Sequence, residues 1–82
     1  MKNLEYHAAI GSAIKREREF LELNREELSR ACGLGISTIS KIERAGEGTG
    51  GVYLDTLIAI AKGLDLPVSS LFESAERSLG SS

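Results

Sequence analysis

Residues 24–33 contain the signals that start and stop a short helix, and they constrain the fold more than any other feature of the sequence. Asn24 is a favoured N-cap residue, and Glu27 stands three positions later, as in a capping box. Gly33 follows Cys32 and can adopt a left-handed conformation without steric cost, which ends a helix. We therefore predict a short helix over residues 25–32 that ends in a tight turn.

Apolar residues recur at helical spacing in four other segments, and no segment has the pattern of a β-strand. In one of these segments Ile39 and Ile42 share a face, and Gly35 is the expected N-cap. The predicted helices span residues 6–21, 36–44, 54–64 and 68–72. The glycine-rich stretch 45–51 predicts a mobile loop. The fold class is therefore all-α with five helices, in one domain over residues 1–76 with a frayed tail at 77–82.

The composition favours a single small domain without a disulfide, a metal or a cofactor. The chain has 82 residues, of which 41% are hydrophobic. Cys32 is its one cysteine, and no second cysteine or histidine lies at metal-ligand spacing. The N-terminal residues lack the apolar segment of a signal peptide, and no apolar run approaches the roughly 18 residues of a membrane span. We expect a cytoplasmic protein with no membrane contact.

The charge balance argues mildly against a nucleic-acid partner, because phosphate contacts need basic side chains and the formal net charge is −2. The basic residues nevertheless concentrate in the first half of the chain. They are Lys15, Arg16, Arg18, Arg25, Arg30, Lys41 and Arg44.

Residues 25–44 have the layout of a helix-turn-helix, with two short predicted helices on either side of the turn at Gly33. A small residue, Ser29, allows the two helices to approach closely. We expect the angle between them to be filled by Leu28, Cys32, Leu34, Ile39 and Ile42.

The sequence resembles the lambda-repressor-like family of helix-turn-helix regulators, also called the Cro or Xre family. The resemblance covers residues 10–72 and rests on four motifs, which are IG..IK..R at 10–18, REELSRACGL at 25–34, STISKIER at 37–44 and TLIAIAKGLDLPVSSLF at 56–72. It implies a compact five-helix DNA-binding domain, similar in size to restriction-modification controller proteins.

The resemblance also implies roles for individual residues, with the second helix of the motif lying in the major groove. The residues that would face base edges are Ile36, Ser37 and Lys41. The residues that would contact the DNA backbone are Arg25, Thr38, Ser40, Arg44, Gly46 and Thr49. In relatives, the positions of Arg18 and Glu43 form a structural salt bridge.

Simpler roles stay open for several of these residues. Ile36 is either an exposed reader of bases or a core residue turned inward, and Ser37 also fits a first-turn role. Lys41 and Arg44 also fit solvated surface charges. Relatives often carry glutamine at the positions of Arg25 and Ile36, so the resemblance does not transfer a target sequence.

A single short recognition helix reads only a few base pairs, which predicts a homodimer on a palindromic operator. The resemblance implies a transcriptional regulator, and we expect it to repress its own promoter. An apolar C-terminal patch is the expected dimer interface. Its residues are Leu66, Pro67, Val68, Leu71 and Phe72.

The sequence also bears on two other classes of function. The acidic net charge favours a helix-turn-helix domain used as a protein-interaction module or antitoxin, whose main partner is another protein such as a toxin. Catalysis is not expected, because no catalytic triad, phosphate-binding loop or pair of catalytic carboxylates can be assembled from the sequence.

Overall fold

The computed structural model describes residues 3–44 and 54–80, which form five α-helices and no strand. The helices are α1 (Asn3–Phe20), α2 (Arg25–Cys32), α3 (Ile36–Glu43), α4 (Leu54–Gly63) and α5 (Val68–Gly80). This confirms the predicted all-α class. The glycine-rich segment 45–51 lies outside the described residues. Within the two described ranges, no helix has the length and apolar composition needed to cross a membrane.

Helix α2 begins and ends at the residues that its local signals predict. Asn24 Oδ1 accepts a 2.8 Å hydrogen bond from the Glu27 backbone N–H, and the Asn24 N–H donates to Glu27 Oε1 at 2.9 Å. This reciprocal pair is the predicted capping box. At the other end Gly33 has a φ of 75°, and its N–H donates to the Ser29 carbonyl at 2.9 Å. Both ends of α2 are therefore set within the segment itself.

Helix α1 lies directly against the backbone at the end of α3. A Cβ atom built at Gly11 would lie 2.4 Å from the Ile42 carbonyl oxygen and 3.2 Å from the Glu43 carbonyl carbon. Only a residue without a side chain allows this approach. The helix begins at Asn3 rather than at residue 6, because no breaker precedes the predicted start. Leu21, the last residue of the predicted helix, lies beyond the end of α1 at Phe20 and is exposed.

The core is aliphatic and draws on every helix. The largest fully buried side chains are Ile14, Leu28, Ile39, Ile60, Leu64 and Leu71. Burying one such side chain contributes about 1.5 to 3 kcal/mol relative to leaving it in water. Because these side chains come from all five helices, the short helices α2 and α3 are held in place by α1, α4 and α5.

Helix α5 is longer than predicted, because it continues to Gly80 instead of ending at Phe72. Leu71 and Ala75 are fully buried and Leu79 packs against the same core, so one side of the helix stays covered beyond Phe72. Arg16 of α1 donates a 2.6 Å hydrogen bond to the Ser74 hydroxyl. The helix includes residues 77–80, which the sequence assigns to a tail. Contact with α1 and with the core therefore continues along α5 beyond Phe72.

The predicted dimer patch also needs a correction. Leu71 offers no surface for a partner, because its own chain buries it completely. Leu66, Val68 and Phe72 are half-buried against the core, whereas Pro67 is exposed. Apolar composition alone does not distinguish a side chain that faces its own core from one that faces a partner. The accessible patch therefore consists of Pro67 and the outer parts of three half-buried side chains.

Candidate nucleic-acid interface

Helices α2 and α3 are packed on each other through apolar side chains and joined by a tight turn. Leu28 and Ile39 have no exposed surface, and Ile42 retains 7%. The Ser29 hydroxyl donates to the carbonyl oxygen of Leu34, which ties the turn back to α2. The two helices therefore form one rigid unit that displays the opposite side of α3.

That opposite side carries the three residues predicted to face base edges. Ile36 is 45% exposed, which is high for a large apolar side chain, and Ser37 and Lys41 are exposed as well. Ile36 therefore lies on the surface, which is the first of the two positions that the sequence left open. A methyl-rich side chain, a hydroxyl and an ammonium on one surface can contact a thymine methyl, either base type and guanine, respectively.

The residues predicted to contact the DNA backbone lie around this surface with differing exposure. Thr38 and Ser40 are half-buried, and Arg44 is exposed. Arg44 is the C-cap residue of α3, and its Nε donates to the Ser40 carbonyl oxygen at 3.4 Å. Gly46 and Thr49 lie outside the described residues.

Arg18 and Glu43 form a bidentate ion pair that links α1 to the end of α3. Arg18 Nε lies 2.7 Å from Glu43 Oε2, and Arg18 Nη2 lies 3.1 Å from Glu43 Oε1. The exposed fractions of the two side chains are 9% and 1%. Arg18 Nη1 also donates to the Leu23 carbonyl at 2.8 Å. Hydrogen bonding to the Glu43 carboxylate raises the pKa of Arg18, despite the opposing effect of burial.

Arg25, the first residue of α2, joins the same cluster. Its Nε donates to Glu43 Oε1 at 3.0 Å, while its side chain stays 41% exposed. Sequence reasoning missed this bond, because Arg25 and Glu43 belong to different helices. Sequence spacing indicates an ion pair only within one helix, where the two residues lie four positions apart, as for Glu26 and Arg30 of α2.

The charges on α3 are separated by burial. Residues 3–44 contain as many acidic as basic residues, so the first half of the chain is not basic overall. On α3 and its C-cap, however, the one acidic residue, Glu43, is buried, whereas Lys41 and Arg44 are exposed. The accessible side of α3 is therefore positively charged in a chain of negative net charge.

The sequence matches a protein family and a protein named as a transcriptional regulator. The helix-turn-helix family matches residues 14–71 of the chain. An uncharacterized transcriptional regulator in the ATPase CF(0) region of Rhodospirillum rubrum is 33% identical over 70 residues, which is 85% of this chain. The chain spans 62% of the length of that relative.

Solved structures share the fold over nearly the whole chain. The clp gene regulator ClgR from C. glutamicum superposes with a TM-score of 0.80 at 23% identity, over 90% of this chain and 92% of that one. The restriction-modification controller protein C.Esp1396I superposes with a TM-score of 0.81 at 22% identity, over 94% of this chain and 96% of that one. At these identities the similarity shows the lambda-repressor-like fold alone. The family match, which covers most of the chain, shows that it belongs to the helix-turn-helix family of the Cro/Xre type.

Proposed function

We propose that this chain acts in the cytoplasm as a homodimeric, sequence-specific regulator that inserts α3 into the major groove of a palindromic operator and represses its own promoter. The observation that carries the proposal is the charge separation on α3. Its acidic residue is buried in an ion pair, and its accessible side holds Lys41, Arg44, Ser37 and Ile36. Such a side suits a phosphate-lined groove in which base edges must be read.

In this proposal the residues divide into two groups. Ile36, Ser37 and Lys41 read base edges. The backbone contacts, which set the register of the protein on DNA, come from Arg25, Thr38, Ser40, Arg44, Gly46 and Thr49.

Fluorescence anisotropy tests DNA binding directly. The protein is titrated onto DNA from upstream of its own gene and onto scrambled DNA, at about 50 and 200 mM salt. The proposal expects tighter binding to the upstream DNA and a steep loss of affinity at the higher salt. Equal and feeble binding to both DNAs would exclude an operator in that region.

Lys41 supplies the sharper test of base reading, because Lys62 of α4 is an exposed lysine away from α3 and serves as a matched control. Lys41→Ala should lower discrimination between the operator and single-base variants by about 1 to 3 kcal/mol. Lys62→Ala should leave discrimination unchanged. Equal effects of the two variants would assign Lys41 only a general electrostatic role.

The dimer is proposed to form around Pro67 and the accessible parts of Leu66, Val68 and Phe72. Pro67→Asp tests it, because aspartate is tolerated before a helix start and should preserve α5. Ser12→Asp, at an exposed position on α1, introduces the same charge elsewhere. Sedimentation should show a monomer for Pro67→Asp and a dimer for Ser12→Asp. A dimeric Pro67→Asp variant would place the interface on another surface.

The net charge of −2 supports a second candidate, in which the domain binds a protein such as a toxin. Lys41→Ala separates the two candidates, since it should change base preference in a DNA reader and leave binding to a protein partner unaffected. A chain that binds neither the upstream DNA nor scrambled DNA at low salt would favour this second candidate.

A further inference from the structure

The Glu43 carboxylate receives hydrogen bonds from two arginines of different helices. Arg18 of α1 holds both of its oxygens, at 2.7 Å and 3.1 Å, and Arg25 of α2 binds Oε1 at 3.0 Å. Arg18 is itself anchored on the Leu23 carbonyl at 2.8 Å. The carboxylate is therefore held on both sides and cannot rotate without breaking these bonds.

The two arginines differ in which guanidinium nitrogens they leave available to a ligand. Arg18 uses all three of its nitrogens inside the protein and is 9% exposed. The bond from Arg25 to Glu43 uses Nε, and its side chain is 41% exposed. A guanidinium is planar, so fixing Nε sets the plane in which Nη1 and Nη2 donate. That geometry matches the oxygens of a phosphate.

We propose that Glu43 is a positioning residue that orients Arg25 for a bidentate contact with a DNA backbone phosphate. The proposal rests on the DNA-binding function above and adds a residue that does not itself touch DNA. Because Glu43 is the last residue of α3 and Arg25 the first of α2, this bond also couples the phosphate contact to the helix that reads bases. Orienting the side chain before binding lowers the entropic cost of the contact.

The test is a double-mutant cycle read out by affinity for a scrambled duplex, because a phosphate contact does not depend on sequence. Arg25→Ala should weaken binding about tenfold, the value of a charged hydrogen-bonded contact. It should also reduce the slope of log K against log salt by about 0.9, for one phosphate lost. Glu43→Gln should weaken binding in the natural chain and have no further effect in an Arg25→Ala background.

A merely structural role for Glu43 gives a different pattern. In that case Glu43→Gln weakens binding by the same factor with and without Arg25, which overturns the proposal. Arg25→Lys covers the possibility that Glu43→Gln does not fold, since it keeps the charge but not the planar fork. Its salt slope should stay close to that of the natural chain, because the charge is kept, whereas its affinity should fall toward that of Arg25→Ala. Affinity equal to that of the natural chain would show that charge alone suffices, and would also overturn the proposal.

A measurement without DNA separates this inference from the proposed function. In ¹⁵N NMR spectra of the free protein, the Arg25 Nε–H should exchange slowly with water, whereas that of Arg30, whose Nη2 pairs with Glu26 on the exposed side of α2, should exchange fast. Slow exchange in a chain that binds no DNA would show that Arg25 is oriented and would refute the proposed function alone. Fast exchange at Arg25 in a chain that binds DNA would refute the inference.

Discussion

The two sides of α3 differ in almost every physical property, although they belong to one short helix. The inner side is made of Ile39, Ile42 and Glu43, all buried. The outer side holds Ile36, Ser37 and Lys41, all exposed. The inner side contacts α1 and α2, so its residues cannot change without moving other helices. Within the described part of the chain, the outer side makes no contact that depends on the chemistry of its side chains. It is therefore available to a ligand.

This difference also explains how an acidic chain presents a basic surface. Glu43 is removed from the surface by pairing with Arg18, at a side-chain exposure of 1%. A buried charge of this kind is tolerated because the bidentate bond and the Arg25 bond satisfy it. Substitutions on the inner side should therefore act on folding, and substitutions on the outer side on binding.

The largest effect is expected where the inner side carries a charge. Arg18→Ala should lower the free energy of unfolding by about 3 to 5 kcal/mol, since it leaves the Glu43 carboxylate buried with only Arg25 beside it. Urea denaturation measures the change. Arg30→Ala, which breaks the exposed pair with Glu26, is the control and should cost no more than about 1 kcal/mol. Similar losses for the two variants would contradict the importance of burial.

A cavity on the inner side should lower the free energy of unfolding slightly less than Arg18→Ala does. Ile39 is fully buried between α2 and α3, so Ile39→Ala should destabilise the fold by about 2 to 5 kcal/mol. Ile36→Ala removes the same atoms from an exposed position and should change stability by no more than about 0.5 kcal/mol. If both isoleucines behaved alike in thermal melts, the inner and outer sides would not be distinct.

Close approach to α1 is the third test of the inner side. Gly11→Ala places a methyl group 2.4 Å from the Ile42 carbonyl oxygen and must push α1 away from α3. We expect a loss of about 1 to 3 kcal/mol. Gly80→Ala, where the added atom meets nothing within 4 Å, should be close to neutral in the same assay. A neutral Gly11→Ala variant would mean that the two helices can separate without cost.

The smallest change in stability is expected on the outer side. Ser37→Ala should alter the free energy of unfolding by no more than about 0.5 kcal/mol, because Ser37 is exposed in the first turn of α3. Affinity for the operator should nevertheless fall, because one hydrogen bond to a base edge or to the group beside it is lost. A variant that melts early and binds normally would place Ser37 in the fold rather than in the interface.

Much of this fold can be predicted from the sequence, because its decisive signals are local. The capping box of Asn24 and Glu27 and the left-handed Gly33 set both ends of α2 within ten residues of chain. The apolar positions Ile39 and Ile42 likewise show which side of α3 is buried. The candidate surface follows, because it is what remains of α3 once that side is assigned.

Other features depend on contacts between distant segments. Packing of Leu71, Ala75 and Leu79 into the shared core carries α5 past Phe72, where the sequence pattern predicted its end. The same packing takes Leu71 out of the predicted dimer patch.

The sequence by itself determined both ends of α2, the turn between α2 and α3, and the buried side of α3, since these follow from hydrogen bonds and side-chain spacing within short segments. Only the tertiary structure decided which charges stay accessible. Glu43 is hidden because α1 brings Arg18 against it, and Arg25 is shared between Glu43 and solvent because α2 lies alongside. Those positions depend on the packing of whole helices, which no local pattern encodes.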